Sequence, residues 1–241
     1  MFRLLVLVLL CASTSVAQPL PDLITDRPDF TESAVVVPLG HVQAEGGVSF
    51  VDNGPGDSFS GPELLVRWTP LSRFELRFGA PNYIDTDDDD GFDHPSLGAK
   101  VQAGPFGAWD LAALATVSTF ADGSVDPEVI VATSYTRSDL LAYGGQFVVG
   151  RDGVGDVWTL GATLVQSVSF PEDAPLFFNE RWGVVIELAL TVPERGKAAV
   201  LQHMGGTYAL SPNAQLDFHV GTGLTNAAPT NLLGVGVTVR R

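Results

Sequence analysis

The stretch WGVVIELALTV (residues 182–192) alternates without a break. Trp182, Val184, Ile186, Leu188, Leu190 and Val192 share one face; Gly183, Val185, Glu187, Ala189 and Thr191 share the other. A period of two is the signature of a β-strand. The apolar face is continuous, so it must meet either a dry protein core or lipid. Which of the two it meets decides the fold.

The pattern recurs along the chain. Phe74, Leu76 and Phe78 alternate with Arg73, Glu75 and Arg77. Trp109, Leu111, Ala113, Ala115 and Val117 alternate with Asp110, Thr116 and Ser118. Trp158, Leu160, Ala162 and Leu164 alternate with Thr159 and Thr163, and Leu216, Phe218 and Val220 with Gln215, Asp217 and His219. Leu233, Val235, Val237 and Val239 close the series. Weaker members near 42–51, 63–69, 96–103, 128–136, 140–149 and 199–210 bring the count to about twelve, most close to the ~9–11 residues of a tilted membrane strand.

The connections are asymmetric. Short turns are predicted at 69–73, 104–108, 136–140 and 211–215, and longer polar links at 52–62, 80–95, 120–127, 151–156 and 225–231. An outer-membrane barrel has this asymmetry, and an even strand count returns both termini to the short-turn side. Two links break the parity. PEDAPLFFNER (171–181) is long where a short turn is expected, and PERGK (193–197) is short where a loop is expected. Trp68, Trp109, Trp158 and Trp182 lie near strand ends, where interfacial aromatic girdles form.

The N-terminus supports the same reading. Arg3, an apolar run from Leu4 to Leu10 and the small-residue ending at Ala17 predict a secretory signal peptide over residues 1–17. Cys11 is the only cysteine, so the exported chain has neither a disulfide nor a thiolate metal site. Export also makes the mature chain one unit more negative than the −15 of the full sequence. Such a charge repels nucleic acid and excludes it as a partner. The expected class is all-β: a transmembrane antiparallel up-and-down barrel over residues 41–241, preceded by a periplasmic segment over 18–40. The competing architecture is a soluble periplasmic β-protein, in which the apolar rows would face inward.

The segment ITDRPDFTESAVVVPLGHVQAEGGVSF (24–50) resembles the opening of the bacterial family labelled MetA-pathway of phenol degradation. The resemblance is carried by Ile24 to Ser33, Pro38, Gly40, Gln43, Glu45 and Gly47. FELRFGAPNYID (74–85) and HPSLGAKVQ (94–102) are similar in style to that family's third and fourth strands. The resemblance implies an outer-membrane β-barrel of the kind named transporter. One departure is the C-terminus: such barrels commonly end in an aromatic residue, whereas this chain ends Val239-Arg240-Arg241.

Candidate functional residues follow from the inner row. Glu45, Glu63, Arg67, Arg73, Glu75, Arg77, Lys100 and Asp110 charge it mainly in the first half, with Glu187, Asp217 and His219 later. Either they form a charged ring that selects solutes, or they pair with one another and stiffen the wall. Pro28 and Pro38 keep residues 18–40 out of regular pairing. That segment is either a lumen plug bonded through Asp26, Arg27 and Asp29, or a solvated arm. The acidic run 85–93 lacks EF-hand spacing, because Thr86 and Leu97 stand where acids are required. It reads as a solvated loop. No G-x-S-x-G, zinc spacing, P-loop or dinucleotide fingerprint appears, so neither cofactor nor catalytic residue is predicted. His203 and His219 would support lipid-modifying chemistry only if one of them met a serine.

The expected function is passive passage or uptake of small, hydrophobic or aromatic solutes across an outer membrane, with membrane lipid as the surrounding partner. A non-conducting structural or ligand-binding barrel is the alternative.

Overall fold

A computed structural model of the chain describes residues 22–53, 56–86, 90–119, 124–152, 156–175 and 178–241. The predicted signal peptide, residues 1–17, lies outside the described residues, as do positions 87–89 of the acidic run.

Twelve strands form a closed antiparallel barrel. They are β1 (Val42–Asp52), β3 (Leu65–Leu71), β4 (Phe74–Gly79), β7 (Ser96–Gln102), β8 (Trp109–Thr119), β9 (Val125–Ser138), β10 (Leu141–Asp152), β11 (Val157–Ser169), β12 (Trp182–Pro193), β13 (Ala199–Ser211), β14 (Ala214–Gly223) and β15 (Asn231–Arg240). Neighbours in this series pair in sequence, and β15 returns to β1 in a register from Gln43↔Arg240 to Asp52↔Asn231. Closure leaves no exposed edge, which a sheet needs in hydrocarbon.

Three short strands extend the wall: β2 (Asp57–Gly61), β5 (Tyr83–Thr86) and β6 (Asp90–Phe92). β2 pairs with the second half of β1, β5 with β2, and β6 with β5. This corrects the reading of the acidic run as plain loop. Its two ends form a hairpin, with Tyr83 against Phe92 and the Tyr83 hydroxyl donating to Asp90 at 2.9 Å. Below the extension, β3, β4 and β7 have only seven, six and seven residues, because Pro62, Pro81 and Pro95 interrupt the ladder at their loop-side ends.

The barrel is inside-out relative to a soluble protein. Arg67, Lys100, His203, Glu45, Glu75 and Glu187 are among the largest fully buried side chains. Leu164 is 71% exposed and Phe147 73%, and Ile186, Leu188, Leu190 and Val192 all stand outward. An exterior of this kind is solvated by lipid rather than water. The apolar row of the 182–192 stretch therefore meets hydrocarbon, and the soluble alternative is excluded.

The turns between β3 and β4 (72–73), β9 and β10 (139–140) and β13 and β14 (212–213) share one end with the start of β1 and the end of β15. The long link 170–181 lies at that end as well, so it is the link, not a strand, that departs from the short-turn pattern. Phe170 stacks on Phe178 at 4.5 Å, and Phe178 packs edge-on against Trp182. The aromatic packing folds the link back against the barrel rim.

Candidate functional site

Residues 22–41 form no ladder, yet Asp26, Pro28, Thr31, Ala34 and Val37 are buried. Their partners come from the inner faces of strands all round the barrel, so the segment lies inside it. A buried backbone without a ladder must satisfy its polar groups some other way. Here side chains of the wall do so. Glu45 accepts from the amides of Asp26 (3.0 Å) and Arg27 (3.1 Å), and Glu187 from that of Phe30 (2.9 Å). Gln146 brackets the tip: it accepts from the Glu32 amide and donates to the Phe30 carbonyl, both at 2.8 Å. Glu75 accepts from the Val37 amide at 2.8 Å, and Lys100 donates to the Ser33 carbonyl at 2.9 Å.

Charge then ties the segment to one side of the wall. Asp26 Oδ2 lies 2.7 Å from Arg77 Nη1 and 3.1 Å from Arg67 Nη1. Glu32 meets Arg77 Nη2 at 2.9 Å and Lys100 Nζ at 3.0 Å. Arg67 also pairs with Glu45 at 2.8 Å and Glu75 at 3.0 Å. Arg27 points the other way, to Glu63 at 2.6 Å and Asp217 at 3.2 Å. Burial on its own would raise the Asp26 carboxyl, but Arg67, Lys100 and Arg77 outweigh it and hold Asp26 well below the ordinary value. Asp29 behaves oppositely. Burial pushes it well up, and Glu187 and the other nearby carboxylates add to the rise.

The predicted inner-row residues fall into three groups. Glu45, Arg67, Glu75, Arg77 and Lys100 converge on Asp26 and Glu32. Glu187, Asp217 and His219 hold the tip and flank of the segment, His219 Nδ1 lying 3.2 Å from the Pro28 carbonyl. Asp110 stands apart, accepting from Gln102 at 3.0 Å. Two placements differ from expectation. Arg73 is exposed in the β3–β4 turn with φ 65°, because the strand starts one residue later than its alternation suggested. Glu63 is on the irregular link before β3 rather than on a strand, with φ 47°, and reaches Arg27 from there.

The sequence does not single out Gln43, Gln102, Gln146 or Glu32 as lumen contacts, and it offers His203 only as half of a histidine pair. Gln146 was findable: it is the single polar side chain in GGQFVVG (144–150) and has inner-face parity. His203 is fully buried, with Nδ1 3.3 Å from Glu187 and its ring 4.7 Å from Phe30 and 5.1 Å from His219. Among the described residues neither His203 nor His219 bonds a serine, and no group of three or more His, Cys, Asp or Glu side chains is placed to hold a metal ion.

Beyond Phe30, toward the loop end, the lumen is hollow. A cavity of about 340 Å³ is floored by Phe30 and walled by β9 to β13, with Ala228 and Pro229 of the β14–β15 link at its rim. The two halves of the lumen differ because their inner rows differ. Arg67, Arg77 and Lys100 fill one half together with the segment they hold. Gly150, Gly161, Ala189 and Ala199 leave the other open.

No protein-family model matches the chain, and no curated protein does. Solved structures do. An outer-membrane channel from Pseudomonas putida F1 superposes with a TM-score of 0.63 at 12% identity, over 90% of this chain and 100% of that one. The NanC porin gives 0.59 at 10% identity, over 82% and 98%. The KdgM porin, solved with a disordered oligogalacturonate, gives 0.58 at 10% identity, over 83% and 98%. At these identities the likeness is one of architecture: the chain has the fold of the outer-membrane porins and channels.

Proposed function

We propose that this protein is an outer-membrane channel for passive passage of small, largely apolar solutes, with residues 22–41 as a plug that narrows its lumen. The single observation that carries the reading is the division of the lumen. A closed lipid-facing barrel holds a non-strand segment mainly by contacts from wall side chains, and leaves an open vestibule beside it. A structural wall needs neither feature. The inner charges Glu45, Arg67, Glu75, Arg77 and Lys100 then serve to dock the plug, and Asp26, Arg27 and Glu32 are its anchors. Among the described residues Asp29 meets no cation within ion-pair distance. The similarity of residues 24–50 to the MetA-pathway family supports placing the chain in that family, with a transporter's role rather than an enzyme's.

A ligand-binding barrel without flux is the second reading, favoured because Phe30 of the segment lines the vestibule. Planar-bilayer recordings separate the two. The wild-type chain should conduct in small or brief steps, and deletion of residues 18–34 should give larger, steadier ones. Glu187→Ala, which frees the Phe30 amide and Thr31 hydroxyl while keeping the segment, should move in the same direction. Silent bilayers for all three forms would overturn the channel.

A further inference from the structure

The vestibule contains one ionisable group that nothing described so far uses. Glu128 lies on the inner face of β9, half-buried, and lines the cavity with Phe30, Val148, Ala189 and Leu201. Among the described residues its carboxylate makes no hydrogen bond or ion pair. Arg151, which lines the adjoining shoulder with Glu128, is engaged elsewhere: its Nε donates to Asp156 Oδ1 at 2.9 Å. A carboxylate left unpaired beside an apolar wall is costly unless something arrives to pair with it.

We propose that this vestibule is a binding site for small organic amines, with the apolar body seated between Phe30, Val148 and Leu201 and the ammonium group on Glu128. Its volume, about 340 Å³, is at the lower end of the range of small-molecule sites, so it takes a single-ring molecule and not an oligosaccharide. The walls supply apolar area and an aromatic face, and the carboxylate supplies the one strong polar contact. A neutral isostere loses that contact, and an anion meets repulsion. The proposal rests on the channel reading only in taking the loop-side mouth as the way in.

The test is titration calorimetry on the mature full chain in micelles at about pH 8, where an ordinary carboxylate is ionised and an alkylamine is protonated. Three probes share one ring: benzylamine, benzyl alcohol and benzoate. Benzylamine should bind at least about tenfold more tightly than benzoate, with benzyl alcohol between. Glu128→Gln should remove the preference while leaving the alcohol unchanged. Ala189→Phe, which fills the cavity, should abolish binding of all three, with the barrel's fold checked by circular dichroism. Equal binding of the three probes to the wild type, or a preference that survives Glu128→Gln, overturns the site. Conductance is recorded on the same preparations. Amine binding without current would refute the channel and leave the site standing, whereas current without amine preference would do the reverse.

Discussion

Asp26 Oδ2 lies 2.7 Å from Arg77 Nη1, joining a residue of the N-terminal segment to a residue of the wall inside the barrel. Arg67 and Lys100 lie on the same carboxylate at 3.1 and 3.5 Å. Asp26 is therefore the point at which one carboxylate of the segment meets three wall cations. Removing one partner of a buried pair leaves the other uncompensated, typically at a cost of about 3–5 kcal/mol. Water that enters a vacated lumen reduces that cost. Asp26→Ala is expected to release the segment, seen as faster protease cleavage within residues 22–40, while the barrel stays resistant. Asp26→Ala combined with Arg77→Met should restore part of the protection, and a cycle over the two should show coupling of about 1–3 kcal/mol. Unchanged cleavage in Asp26→Ala would remove the anchor.

Asp26 and Asp29 respond to pH in opposite senses. Asp26 is held below the ordinary value of 3.8, so its contribution to docking is complete above that value and is lost as pH falls through its depressed docked pKa. Asp29 is raised above 3.8, so docking carries a penalty at neutral pH that is relieved as pH falls through the raised value. Protease resistance of the segment should thus increase on mild acidification and collapse under stronger acid. Asp29→Asn should be resistant already at neutral pH and lose the first phase. A profile that only declines with acid, identical in Asp29→Asn, would contradict this.

Arg27 needs two glycines. A Cβ at Gly236 would meet the Arg27 guanidinium and Asp217, both ends of flexible side chains. A Cβ at Gly47 would meet the guanidinium and also the Val235 backbone carbonyl at 2.5 Å. Gly236→Ala should therefore displace Arg27 and loosen the plug while the barrel folds. Gly47→Ala should also disturb the β1–β15 seam that closes the wall. Thermal stability in micelles, read alongside protease cleavage of the segment, distinguishes the two. Equal loss of barrel stability in both variants would argue against the assignment.

Ile186 faces outward beside inward-facing Glu187. Ile186→Arg puts a charge in lipid and should destabilise the barrel by about 2–4 kcal/mol if the position is near the bilayer centre. Measured by denaturant titration in lipid vesicles, a loss under about 0.5 kcal/mol would place that row elsewhere. Val192→Arg, nearer the strand end, should cost less.

The comparison of sequence with structure follows the range of the signals involved. Strand number, the outward rows and the short-turn end were readable because they are local: a period of two needs only neighbours in the chain. Glu45, Arg67, Glu75, Arg77 and Lys100 were readable as inner residues for the same reason. Arg73 had the right parity but the wrong ending, since parity does not say where a ladder stops. Glu63 reaches the lumen through an irregular link that no periodicity describes.

That residues 22–41 run inside the barrel was beyond the sequence, as was the partnership of Asp26 with Arg67, Arg77 and Lys100. The contacts of Arg27 with Asp217 and of Pro28 with His219 depend further on closing β15 onto β1, which brings residues from opposite ends of the chain around one interior. The vestibule was equally hidden. It exists because Gly150, Gly161, Ala189 and Ala199, each unremarkable in its own strand, fall side by side only once the register of β10 to β13 is set. Alternation thus determined which side chains share the interior, and the register and closure of the barrel decided which of them touch.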